Sequence, residues 1–171
     1  MRRLLLSCFA LALATPLAAA ELNLTVQIPE QKVAEYHRPY TAIWIERADR
    51  SVAAQLAVWY AQKDSKEGAG NKWLPDLRQW WRRGGRELAL PVDGVSGATR
   101  PAGQYQLNFV DGQAPLGTLA ADDYVLVVEA AREVGGREVV RVPFTWPGAT
   151  TQHLTARGSS ELGAVSLDIN P

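Results

Sequence analysis

The sequence predicts an all-β protein, an immunoglobulin-like β-sandwich of about eight strands with one short helical insertion. Three observations carry that prediction. Short segments alternate apolar and polar residues with a period of two. Glycine, proline and polar clusters separate them. No long helix alternates with the strands, as a parallel α/β sheet would require. The 171 residues fit one sandwich domain over residues 21–171, and 47% hydrophobic content excludes a disordered chain. Eighteen basic residues against eighteen acidic ones argue against a nucleic-acid partner held by bulk phosphate neutralisation. A single cysteine excludes a disulfide framework and any cysteine-rich metal centre.

Residues 1–20 read as a signal peptide. Arg2 and Arg3 are the positive start, Leu4 to Leu13 is a short apolar run, and Ala18, Ala19 and Ala20 are the small residues before a cleavage at Glu21. Cys8 lies inside the apolar run rather than after it, which argues against a lipoprotein. The run is too short for a stop-transfer helix, and no later segment approaches spanning length. The mature chain is therefore expected in the periplasm, cysteine-free and not inserted in the membrane.

Leu22, Leu24, Val26 and Ile28 alternate with polar residues up to Pro29, a half-buried strand. Tyr40 to Glu46 and Gln55 to Tyr60 are rich in aromatic and β-branched residues, and the intervening ERADRS reads as a polar hairpin connection. Asp64 to Asn71 is a loop. From Trp73 to Arg83, Leu77, Trp80 and Trp81 stand at i, i+3 and i+4, which predicts a short helix ended by Gly84-Gly85. Strands are expected again at Glu87 to Leu90, Gln104 to Val110, Tyr124 to Ala131, Val139 to Thr145 and within Glu161 to Ile169. Tyr105, Leu107 and Phe109 should share one face, and Gly135-Gly136 should form a two-residue hairpin turn.

The segment with chemical content is Asp93-Gly94-Val95-Ser96-Gly97-Ala98-Thr99, read as a loop between two strands. Thr99 offers a hydroxyl, which a phosphoester acceptor must be. Gly97 and Ala98 are small enough for the segment to enter another enzyme's active site. Ser96 can hold the turn by a local hydrogen bond, and Asp93 is expected to assist beside the acceptor. The segment resembles the flavinylation motif D-x-x-S-G-A-T of the FMN-binding subunits of sodium-pumping quinone reductase and Rnf-type complexes. The resemblance implies that an FAD:protein FMN transferase esterifies FMN, through its phosphate, to Thr99. It covers seven residues, and Arg100-Pro101 departs from what usually follows the threonine.

A broader resemblance spans the mature chain. Ala57 to Tyr60 (AVWY), Trp73 to Arg83 (WLPDLRQWWRR), Asp93 to Tyr105 (DGVSGATRPAGQY) and Tyr124 to Gly136 (YVLVVEAAREVGG) look like a family of predicted periplasmic proteins of unknown function. That resemblance implies a β-sandwich and a neighbourhood of PepSY-type membrane proteins and FMN transferases.

The remaining candidates are weaker. Trp80 and Trp81, with Trp73, are candidates to stack on an isoalloxazine ring, although packing of the helix onto the sandwich is the commoner use of such residues. Arg82, with Arg78 and Arg83, is a candidate contact for a flavin phosphate or an acidic partner. His37 and His153 have no ligand-spaced partner, so no metal site is expected. No nucleophile elbow or zinc-protease motif appears, and no catalytic residue is assigned. The sequence thus points to an exported electron carrier with FMN on Thr99, served by a PepSY-type or other membrane reductase. The alternative is a cofactor-free, immunoglobulin-like periplasmic interaction module that docks on a membrane or outer-membrane partner by a strand edge or by its Trp/Arg face.

Overall fold

The computed structural model describes residues 19–64, 66 and 68–171. All but the last two residues of the expected signal peptide lie outside them. Strands β1 (Glu21–Ile28), β5 (Gly103–Val110), β8 (Gln152–Arg157) and β9 (Ala164–Asn170) form an antiparallel sheet in the order β5-β1-β9-β8. Strands β2 (Tyr40–Glu46), β3 (Val52–Tyr60), β4 (Ser96–Ala98), β6 (Asp122–Ala131) and β7 (Arg137–Trp146) form a second sheet in the order β4-β3-β2-β6-β7. The chain is an all-β sandwich with one short helix, α1 (Arg78–Arg83). No helix among the described residues is long and apolar enough to cross a membrane.

The period of two sets the main core. Leu22, Leu24, Val26 and Ile28 are all buried, and Leu22 pairs with both Phe109 and Ile169. They meet Ile43, Ile45, Leu56, Trp59, Leu126, Val128 and Trp146 from the facing sheet. Tyr105 and Leu107 pack against this cluster beside Phe109, as their shared face predicts.

A second core lies on the outer face of the five-stranded sheet. Ala42, Trp44, Val58, Tyr60 and Val127 are covered there by Leu74, Leu77, Trp80 and Val95. This is why β2 and β3 read as nearly continuous apolar runs, since both of their faces are buried. A bulge helps to build it. Ile43 pairs with Ala57 but Trp44 pairs with Gln55, leaving Leu56 as the extra residue. The slip turns Gln55 to the outer face, where its Oε1 accepts the Trp80 indole N–H at 2.8 Å.

The helical insertion has two parts rather than one. A 3-10 helix, Gly70–Asp76, is followed by α1, and the break falls at Leu77 (ψ 67°). Leu77 and Trp80 are fully buried and Trp81 packs beside them, as their spacing predicts. Gly84 (φ 148°) ends α1, its N–H donating to the Trp80 carbonyl. The start of α1 is capped from a distance. The buried Glu129 of β6 accepts the Gln79 and Trp80 backbone N–H groups at 3.0 and 2.7 Å and the Arg137 guanidinium at 2.6 Å. Buried Glu46 similarly takes the Trp44 indole N–H at 3.0 Å and Arg141 at 2.9 Å.

Three expectations are corrected and one strand is added. Glu87 to Leu90 is not a strand, because Gly85–Glu87 is a 3-10 turn and Leu88 and Leu90 pack against the outer core instead of pairing. β8 is a strand despite its polar sequence, since only Leu154 and Ala156 turn toward the core. The motif is not wholly loop, because Ser96–Ala98 adds to the sheet edge parallel to β3. The β6–β7 connection turns over Glu133 and Val134 (φ 51°), with Gly135 N–H donating to the Arg132 carbonyl at 3.0 Å. Gly135 and Gly136 lie on its returning limb. Glu161 fastens this connection, holding Arg132 at two points, 2.9 and 3.0 Å, and accepting the Gly136 N–H at 2.8 Å.

Candidate functional site

The motif is held by backbone geometry on one side and by aromatic rings on the other. Asp93 and Gly94 turn the chain at the surface, with Gly94 at φ 71°. Val92 and Ser96 clamp that turn reciprocally. The Val92 N–H donates to Ser96 Oγ at 2.9 Å, and the Ser96 N–H donates to the Val92 carbonyl at 2.8 Å. Ser96 therefore holds the turn as its residue type suggests. Val95 tucks into the outer core and its carbonyl accepts the Val58 N–H at 2.8 Å.

Ser96, Gly97 and Ala98 then run alongside Val58, Trp59 and Tyr60. Gly97 passes so close to Trp59 that a Cβ there would sit 3.1 Å from the indole Cδ1. The small residue is thus required by the protein's own packing. Ala98 is exposed, and Asp93 projects into solvent. The Thr99 N–H donates to the Tyr60 carbonyl at 3.2 Å, which fixes its backbone at the end of β4. Its hydroxyl makes no hydrogen bond among the described residues.

The departure at Arg100-Pro101 has a structural use. The Arg100 guanidinium lies 4.4 Å from the Trp59 ring centre and 4.9 Å from that of Tyr105. The two rings meet edge to face at 5.7 Å, and the Tyr105 hydroxyl donates to the Pro101 carbonyl at 2.6 Å. Trp59 belongs to one sheet and Tyr105 to the other. The residues after Thr99 are therefore pinned across the open side of the sandwich, each cation–ring contact contributing about 0.5–1 kcal/mol at such exposure.

Thr99 also lines a cavity of about 360 Å³. Its aromatic walls are Tyr36, Tyr40 and Trp73, and Ala61 and Ala131 complete its apolar lining. His37, Arg38, Asp76 and Glu133 supply a polar rim. The Trp73 wall is placed by Gly70, which packs against the end of β3 where no side chain fits: a Cβ at Gly70 would collide with the Ala61 carbonyl. The Tyr40 hydroxyl locks the same point by donating to the Gly70 carbonyl at 2.7 Å. Burial pushes the Tyr40 hydroxyl above its ordinary pKa, and the Glu133 and Asp76 carboxylates push it further, against a lowering backbone hydrogen bond. Tyr40 is thus a neutral donor across the physiological range. His37 bridges Glu35 at 2.9 Å and Glu133 at 3.5 Å.

The other sequence candidates fall elsewhere. Trp80 is fully buried and its indole N–H is taken by Gln55, so it offers no ring face to a flavin. Trp81 packs against Trp80 at 6.2 Å. Arg82 is exposed and its Nε donates to the Arg78 carbonyl at 3.1 Å. None of the three lines the cavity beside Thr99, and Arg83 is drawn to Glu46 at 3.5 Å, so the Trp/Arg face is mostly an internal joint. Trp73 alone of the tryptophan group stands beside Thr99. Sequence reasoning did not find Tyr36, Tyr40, Asp76 or Glu133, because they come from separate segments with no common spacing.

Neither the comparison with curated proteins nor that with solved structures returns a match. A family profile described as a predicted periplasmic protein matches residues 21–164, which takes in every strand from β1 to β8, the helical insertion and the Thr99 segment. By that match the chain belongs to the DUF2271 family of predicted periplasmic proteins.

Proposed function

We propose that this periplasmic protein is an electron carrier bearing FMN as a phosphoester on Thr99. The observation that carries the reading is the position of the Thr99 hydroxyl. It follows an edge strand directly, has no hydrogen-bond partner among the described residues, and belongs to a residue that lines an aromatic-walled cavity. Thr99 is half-buried, so its hydroxyl is within reach of solvent and of a docking enzyme while its backbone is held by Tyr60.

The attachment chemistry balances without a redox step. The Thr99 oxygen attacks the FMN-side phosphorus of FAD, the pyrophosphate bond breaks, AMP leaves, and the hydroxyl proton passes to a base of the transferase. Asp93, exposed at the turn, is placed to contact that enzyme. The residues around Thr99 fit the group, because three rings and a polar rim suit a flat heteroaromatic system with a polar edge. FMN so bound supplies reversible electron transfer. The protein supplies the tether, the walls that limit water, and a surface for a PepSY-type or other membrane reductase.

The test is co-expression with an FAD:protein FMN transferase followed by intact mass and a visible spectrum. The expected result is a yellow protein heavier by one FMN less water, with both signals lost in Thr99→Ala. A colourless, unmodified protein beside a transferase that loads its own known substrate overturns the reading and leaves a cofactor-free interaction module.

A further inference from the structure

Resting on the attachment at Thr99, we propose that the cavity walled by Tyr36, Tyr40 and Trp73 seats the isoalloxazine ring, so that the flavin is docked rather than merely leashed. The phosphoester alone would leave the ring swinging in solvent on its ribityl chain. Three features of the cavity argue for a seat.

The first is size and composition. About 360 Å³ lies within the ordinary range of pockets for small organic ligands, and two tyrosines and a tryptophan provide apolar faces there. The second is rigidity. Trp73 rides on the 3-10 helix that Gly70 presses against Ala61 and that the Tyr40 hydroxyl holds, so this wall stands before any ligand arrives. Trp73 and Tyr36 belong to neither apolar core, and the Lys72 ammonium lies 4.8 Å from the centre of the Trp73 ring, so these rings stand at the surface of the cavity rather than in the fold's interior. The third is polarity at the rim. Arg38 can donate to the carbonyl edge of the ring, and Asp76 and Glu133 can accept from its imide N–H. A tether raises the local flavin concentration into the millimolar range, so a seat that binds free FMN only at millimolar concentration still holds the attached group.

The experiment separates seat from attachment. Intact mass reports loading for each sample. In loaded wild-type protein the flavin fluorescence should be quenched by the neighbouring rings. It should rise by a few fold in loaded Trp73→Ala and further in Trp73→Ala with Tyr36→Ala. Loaded protein whose flavin is as bright as free FMN, and unchanged by these substitutions, overturns the seat while attachment stands. In parallel, unmodified wild-type and Thr99→Ala proteins are titrated with free FMN to millimolar concentration and followed by amide chemical shifts. Shifts should cluster on residues 36–40, 73–76 and 131–133 in both proteins and vanish in Trp73→Ala. Shifts elsewhere, or none, overturn the seat even if no transferase ever modifies the chain. Trp73 is partly exposed, and an unchanged amide spectrum away from the cavity verifies that the variant folds.

Discussion

At residue 99 shape and chemistry can be separated. Thr99→Val keeps the branched side chain and removes only the hydroxyl, which has no partner among the described residues. Its stability should stay within about 0.5 kcal/mol of wild type by urea denaturation, while FMN loading falls to nothing by intact mass. Thr99→Ser should load. Glu129 shows the opposite balance. Two helix N–H groups and Arg137 depend on its carboxylate inside the outer core, so Glu129→Gln should cost about 2–3 kcal/mol, measured by the same denaturation. Residue types alone led to Thr99 and Ser96, because a phosphoester needs a hydroxyl and a tight turn favours serine. They did not lead to Glu129. A carboxylate in the middle of a strand gives no local sign that the N–H groups it serves lie about fifty residues earlier in the chain.

The elements differ in how openly the sequence announces them. Strand β1 is plain because one of its faces is buried and the other is not. Strand β4 is hidden, since three small or polar residues in a glycine-bearing segment pair only because Val58 to Tyr60 present a free edge. The cavity beside Thr99 is equally hidden, because its lining comes from the stretch before β2, the first residue of β2, the 3-10 helix and the β6–β7 turn. The connection between β8 and β9 yields a pH prediction. Burial raises the Glu138 carboxyl, but the N–H groups of Ser159, Leu162 and Ser160 and the Ser159 hydroxyl outweigh it and bring its pKa from 4.5 down to about 2. A depressed folded value means that the stabilisation is complete above the unfolded value and drains away as the pH falls from 4.5 toward about 2. Melting temperature followed over that window should drop more steeply in wild type than in Glu138→Gln.

On the scale of the whole molecule, two apolar cores share the five-stranded sheet between them. The inner core was legible from alternation in β1, β5 and β9. The outer one was half legible: Leu77 and Trp80 declared a buried helix face, but nothing local said what that face would cover. The bulge at Leu56 answers this by swinging Gln55 outward to meet Trp80. Leu77→Ala should remove about 3 kcal/mol, since the side chain is fully enclosed under the helical insertion, and the loss should appear in urea denaturation as a lower midpoint. If the insertion stays docked, the slope should not change.

Ser96 to Ala98 face β3 at three positions along a single flank, and Val95 on one side and Arg100 on the other stitch the strip down at both ends. A hem sewn in this way keeps its shape. On the attachment proposed above, a visiting enzyme meets the hydroxyl on a finished edge, so that maturation follows assembly of the fold.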